Sequence, residues 1–170
     1  VEREISGFLK AQFDSGTVDQ LIYEKAISDV GVFANLNRWM ESPDIDRISP
    51  NAKRGILSAL FANRWPDINE CFFTEVEFGT GGIRGRAVIS DWELELLRDE
   101  GIAAPFLRGP NTINDVVLLQ KSAAIAKFAN MRGFKSLVIG FDSRIRGRDF
   151  AKIIAELFID YGLKVNLFDD

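Results

Sequence analysis

Hydrophobic spacing divides the chain into two regimes. Up to about residue 70 the apolar positions recur at helical intervals. Val18, Leu21, Ile22, Ala26 and Val30, with Lys25 among them, form an i, i+3, i+4 stripe that runs loosely on to Trp39. Ser42-Pro43-Asp44 breaks it. Ser49 then predicts a helix N-cap with Pro50 at the first helical position. Ile56, Leu57, Leu60 and Phe61 predict the buried face of that helix, and Pro66 is expected to stop it. Residues 1–70 therefore read as a helical leader, suited to packing or interaction. Its carboxylates Asp19, Glu24 and Asp29 read as exposed face, not as acid/base pairs.

Beyond residue 70 the period changes. Phe72 to Phe78 alternates toward its end and predicts a strand feeding a glycine-dense turn. Arg86 to Leu97 carries two competing signals, a short strand at Val88 and Ile89 and a helical turn from Trp92 to Arg98. Gly101 to Pro110 reads as loop. Thr112 predicts the cap of a long helix, with Asp115 three residues later as in a capping box. Ile113, Val116, Val117, Gln120, Ala124 and Lys127 mark one side of that helix, and Arg132-Gly133 closes it. Ser136 to Phe141 has the composition of a buried parallel strand. Phe150, Ile153, Ile154, Leu157, Phe158 and Tyr161 make the cleanest helical stripe in the chain, ended by Gly162. Leu163, Val165 and Leu167 then alternate with Lys164 and Asn166 as another strand.

Strand, helix, strand in that order implies a right-handed crossover and a parallel pair. Ligands of such sheets collect at the carboxyl ends of the strands. That rule marks Asp142 to Arg148, and the glycine turn is expected to converge on it. The fold class expected is α/β. The helical leader is followed, over residues 71–170, by the start of a three-layer α/β/α domain with a mixed, largely parallel sheet.

The candidate chemistry lies in Phe78-Gly79-Thr80-Gly81-Gly82-Ile83-Arg84-Gly85-Arg86. Glycines leave backbone N–H groups uncovered and let an anion come close. Arg84 adds a planar, permanently charged fork suited to phosphate oxygens. No Gly-Lys-Ser/Thr follows, so this is not a Walker A loop, and Arg84 stands where a dinucleotide fingerprint needs glycine. Phe78 to Gly85 resembles the F-G-T-x-G-I-R-G signature opening the first domain of α-D-phosphohexomutases. Gly109-Pro110-Asn111-Thr112-Ile113-Asn114 resembles the turn before that domain's first long helix. Gly140-Phe141-Asp142-Ser143-Arg144 is similar to the family's G-x-D-x-R. The three motifs stand in the family's order, and the leader resembles the N-terminal extension of the phosphoglucomutase/phosphomannomutase branch.

The resemblance implies the N-terminal part of an enzyme that interconverts hexose 1-phosphate and hexose 6-phosphate. In the family a phosphoserine, held with Mg²⁺, donates its phosphoryl group and recovers one from a hexose 1,6-bisphosphate intermediate. Arg84 would lie beside that phosphoserine as the catalytic phosphate contact. Thr80, Gly81 and Gly82 would shape the turn around the phosphate. Arg144 would either face phosphate or brace its own loop by pairing with Asp142. Asn114 would fasten its loop through side-chain hydrogen bonds.

The departures are equally specific. Nothing resembles the family's T-x-S-H-N-P stretch, and Asp44 and Asp46 are not followed by a third aspartate at Ile48. The serine and the Mg²⁺ ligands are thus expected outside this chain, which would be inactive alone and completed by the remaining domains of the same protein. An amino-sugar or pentose phosphate mutase, or a non-catalytic relative that binds sugar phosphate, would share these residues.

Charge refines the picture. The net charge is −4 over 170 residues. Gly79 to Arg148 holds eleven Lys and Arg against seven Asp and Glu, so the rest of the chain carries −8. A basic middle in an acidic chain fits a small anion and not a nucleic acid. Lys121, Lys127, Arg132, Lys135, Arg146 and Arg148 read as solvated. With no histidine, a Ser-His-Asp triad and an imidazole base are excluded from the chain itself. Cys71, the one cysteine, adjoins Phe72 and Phe73 and reads as a buried thiol. No apolar run has membrane-spanning length and Val1 to Gly16 lacks a signal-peptide profile, so a cytoplasmic location is expected.

Overall fold

The computed structural model describes residues 2–28, 30–79 and 82–168. Six helices fill the first part: α1 (Glu2–Asp14), α2 (Gln20–Ser28), α3 (Val30–Glu41), α4 (Pro43–Ile48), α5 (Ala52–Phe61) and α6 (Trp65–Phe72). Ser42 precedes Pro43 at the start of α4, as the sequence break suggests. The helix expected from Pro50 begins two residues later, at Ala52. Pro66 starts a helix instead of stopping one. It occupies the first turn of α6, where a missing N–H costs no hydrogen bond.

The buried face of α5 also differs from the expectation. Leu57 and Phe61 are exposed, whereas Ala52, Gly55, Ile56, Ala59 and Leu60 are buried. Gly55 explains the rotation: a Cβ there would lie 2.0 Å from the Phe106 carbonyl oxygen. Small residues let the 106–107 backbone settle directly on the helix. In α2, Leu21 likewise points outward while Ala26 is fully buried.

Because α6 continues to Phe72, the strand expected from that residue shrinks to β1 (Phe78–Gly79). It pairs antiparallel with β2 (Gly82–Ile83), Phe78 opposite Ile83. The intervening backbone bonds elsewhere. Val76 donates its N–H to the Pro110 carbonyl, and Asn111 donates to that of Cys71. Asn35 of α3 holds the Phe72 carbonyl from 2.7 Å. One continuous core thus joins Leu36, Trp39, Ile56, Trp65, Ile68 and Phe72 to Val76, Leu107, Val116 and Val117, across the division expected near residue 70.

Of the two signals after Arg86, the helical one wins, as α7 (Asp91–Glu100). Residues 101–113 form no regular element beyond a bridge between Arg86 and Thr112. α8 (Asp115–Met131) is capped by Asn114, not Thr112. Then come β3 (Ser136–Ile139), α9 (Gly147–Asp160) and β4 (Lys164–Leu167). β3 and β4 are parallel, Leu137 opposite Val165 and Ile139 opposite Leu167, as the strand–helix–strand order requires. Ala126 and Ala129 of α8 and Phe158 of α9 pack with Leu137, Ile139 and Val165 on one face of this pair. The opposite face differs from the buried strand expected: Val138 is 61% exposed. Among the described residues, no helix is long and apolar enough to cross a membrane.

Candidate functional site

The β1–β2 turn carries the first motif. Thr80 and Gly81 lie outside the described residues. Gly82 has φ +106°, a conformation that a side chain would strain. Arg84, just past β2, is exposed and has no hydrogen bond or ion pair among the described residues. It lines an open hollow of about 480 Å³ with Glu75, Val76, Glu77, Gly82 and Asn111. The turn is anchored on its far side. The Arg86 carbonyl accepts from the Ile113 N–H at 2.7 Å, and the Arg86 guanidinium lies 3.5 Å from Glu70. A Cβ on Gly85 would come 3.2 Å from Val76, so the chain passes close there.

The second motif is the brace beneath that turn. Asn114 is fully buried. Its Nδ2 donates to the Gly109 carbonyl at 3.0 Å, the Thr112 carbonyl at 3.2 Å and the Thr112 hydroxyl at 2.9 Å. Its Oδ1 accepts from the Val117 N–H at 3.0 Å and caps α8. The loop-fastening role expected of Asn114 is the one observed. Thr112 cannot cap because its hydroxyl is used inside the loop, on Gly109. Gly109 is required by contact: a Cβ would sit 2.4 Å from the Cys71 carbonyl oxygen. Burial drives the Cys71 thiol well above its ordinary pKa, assisted by Glu93.

Two buried charges unmarked by the sequence hold this region together. Arg108 donates to Asp115 at 2.7 Å and to the carbonyls of Ile102, Ala104 and Phe106, with its guanidinium over the Phe106 ring. Burial pulls its pKa down, and Asp115 opposes that. Glu93 of α7, fully buried, accepts from Arg64 Nη1 at 2.9 Å, the Leu107 N–H at 2.9 Å and the Ser90 hydroxyl at 3.1 Å. For Arg64 burial lowers the pKa, but hydrogen bonds to Glu93 and Asp67 outweigh it and the net shift is upward. Helical spacing does not distinguish Glu93 from exposed Glu95. Only the partners arriving from other segments do.

The third motif follows β3. Arg144 and Asp142 form an exposed ion pair at 3.0 Å, the bracing arrangement, and such a pair is weak and exchangeable. Both line a hollow of about 310 Å³ bounded by residues 141–149. Among the described residues, that hollow shares no lining residue with the one at Arg84. Arg146 is not simply solvated. In left-handed backbone (φ 59°), it donates to the Leu97 and Arg98 carbonyls and pairs with Asp149 at 3.1 Å. A cation on the last carbonyls of α7 complements that helix terminus. Arg148 stays exposed, and Lys121 is half-buried.

The family model for the phosphoglucomutase/phosphomannomutase alpha/beta/alpha domain I matches residues 75–169, which contain all three motifs. The chain belongs to this family. It is also similar to phosphopentomutase of Mus musculus, 24% identical over 133 residues, covering 72% of this chain and 18% of that relative. The chain thus spans under a fifth of the length of the curated relative it matches. No solved structure matches it significantly. Within this domain I, the glycine-rich turn is buttressed by the Asn114 loop and, through Leu107 and Glu93, by the leader. Among the described residues, no three His, Cys, Asp or Glu side chains gather into a group that could hold a metal ion. The described residues therefore offer no Mg²⁺ centre of their own.

Proposed function

We propose that the chain is the N-terminal part of a sugar-phosphate mutase, and that the hollow at Arg84 receives a phosphoryl group. The observation that carries this reading is Arg84 itself: exposed, free of any ion pair among the described residues, and next to a glycine-rich hairpin. A guanidinium fork with no internal partner gives up nothing when it turns to phosphate oxygens. The transferring phosphoryl group spreads its charge over three oxygens, and positioned cations and backbone donors answer that need. The overall reaction would interconvert hexose 1-phosphate and hexose 6-phosphate through a phosphoserine and a hexose 1,6-bisphosphate. Thr80, Gly81 and Gly82 would frame the phosphate, and Arg144 would exchange Asp142 for it. The serine and the ligands of Mg²⁺ belong, in this reading, to other segments of the same protein, and the working compartment is the cytoplasm.

A second reading is specific to substrate. The similar mouse protein is named a phosphopentomutase, which favours a pentose phosphate at the same hollow. The test is turnover of glucose 1-phosphate and of ribose 1-phosphate by the complete protein. Arg84→Ala should lower turnover about a hundredfold, the scale for removing one preorganised donor. Turnover near wild type would remove Arg84 from its role. Turnover of the pentose phosphate alone would establish the second reading, and turnover of neither would leave a sugar-phosphate-binding relative. Residues 1–170 alone should turn over neither.

A further inference from the structure

A second hollow lies where the leader meets α8. It encloses about 370 Å³, within the range of small-molecule sites. Its floor is apolar: Trp39, Ile45 and Val117 are each at most 3% exposed. Trp39 is fixed edge-on against Phe72, with ring centroids 5.8 Å apart. Above that floor stand Arg38 and Ser42 from the leader, Gln120 and Lys121 from α8, and Glu75. Among the described residues, the Ser42 hydroxyl, the Gln120 amide and the Lys121 ammonium have no hydrogen-bond partner. Arg38 donates to Asn35 at 3.0 Å and to Glu75 at 2.5 Å, an exposed pair that is inexpensive to rearrange.

We infer that this hollow, which adjoins the hollow at Arg84 through their shared Glu75, is a second site for a small phosphate monoester bearing hydroxyl groups. Two cations face one carboxylate, so the site favours an anion. The Ser42 and Gln120 donors sit beside the cations and suit the remaining phosphate oxygens. Glu75, the one carboxylate in the lining, suits a ligand hydroxyl, and Trp39 belongs to the apolar floor. A bare inorganic anion would leave Glu75 facing like charge, whereas a sugar phosphate uses both ends of the hollow.

The indole N–H signal of Trp39 in a ¹H–¹⁵N spectrum of the full chain reads this hollow directly. Titration with glucose 6-phosphate should move that signal saturably, and inorganic phosphate should bind at least about tenfold more weakly. Lys121→Met should weaken the sugar-phosphate titration about tenfold, the worth of one charge-assisted hydrogen bond. Ser42→Ala should weaken it less, and Arg84→Ala should leave it unchanged. Lys121 holds no partner among the described residues, so its replacement should keep the fold, which amide dispersion verifies. A Trp39 signal that never moves overturns the proposal. So does one that loses its response in Arg84→Ala but keeps it in Lys121→Met. Equal affinity for inorganic phosphate overturns the part assigned to Glu75. The role of Arg84 is read separately, by turnover.

Discussion

Replacing Gly55 with alanine separates two forces that usually act together. In an exposed helix interior the change favours folding by about 1 kcal/mol, because glycine surrenders more backbone freedom. Here the new methyl would lie 2.0 Å from the Phe106 oxygen, 2.6 Å from its carbonyl carbon and 3.2 Å from the Leu107 nitrogen. Ordinary carbon–oxygen approach is about 3.3 Å, so α5 and the 106–107 segment must part by more than an ångström. The obstacles are backbone atoms and cannot swing aside. The Phe106 carbonyl accepts from Arg108, and the Leu107 N–H donates to buried Glu93. Overpacking costs about 1–3 kcal/mol, and weakening the bond to a buried carboxylate costs about as much again. After subtracting the helix gain, Gly55→Ala should destabilise by about 1–5 kcal/mol, a fall in Tm of about 2–20 °C for a chain of this size. Gly7, in α1 with nothing within 4 Å of its would-be Cβ, is the control. Gly7→Ala should raise stability by about 1 kcal/mol. Urea and thermal unfolding of both variants decide the matter. If Gly55→Ala matches or exceeds wild type while Gly7→Ala behaves as stated, the close seat of the loop on α5 is wrong.

Asn114→Ala removes the α8 cap and three donor contacts at once, and should cost about 2–3 kcal/mol in urea unfolding. A loss under 1 kcal/mol would mean that the loop is held by other contacts. Cys71 gives a pH prediction. Its folded-state pKa is raised by burial, so its contribution is fully present below the unfolded thiol value of about 8.5 and is lost as pH rises toward the folded value. Across that window the unfolded chain releases a proton that the folded chain retains, so stability should fall by up to about 1.4 kcal/mol per pH unit. Cys71→Ala should remove that slope, and an identical alkaline slope in both proteins would contradict the burial argument.

Local pattern carried the parallel pair. Leu163, Val165 and Leu167 alternate within five residues, and Gly162 marks the helix end before them, so no distant information was needed. The α5 face was misread because its seat is made by what is small. Gly55 and Ala59 carry little hydrophobic weight, yet both are buried, and Gly55 meets the backbone of a loop some fifty residues away. Thr112 and Asn114 offered the same capping chemistry, and the choice depended on which hydroxyl or amide the Gly109 loop consumed. Glu93 and Arg146 were invisible for a related reason: their partners, Arg64, Leu107, Leu97 and Arg98, arrive only with the tertiary fold. The motif around Arg84 was legible as a family signature because it is contiguous, and the family match includes it.

The match to the family begins at residue 75, but the core does not. Severing the chain there would strip Trp65, Ile68 and Phe72 from Leu107, Val116 and Val117, and would leave Glu93 without Arg64. The unit by which kinship is recognised is therefore smaller than the unit that folds. In a chimera or a recombination event, the six leading helices should travel with the glycine-rich turn. Exchanging the turn alone between relatives would transfer the arginine without the helices on which its loop is seated.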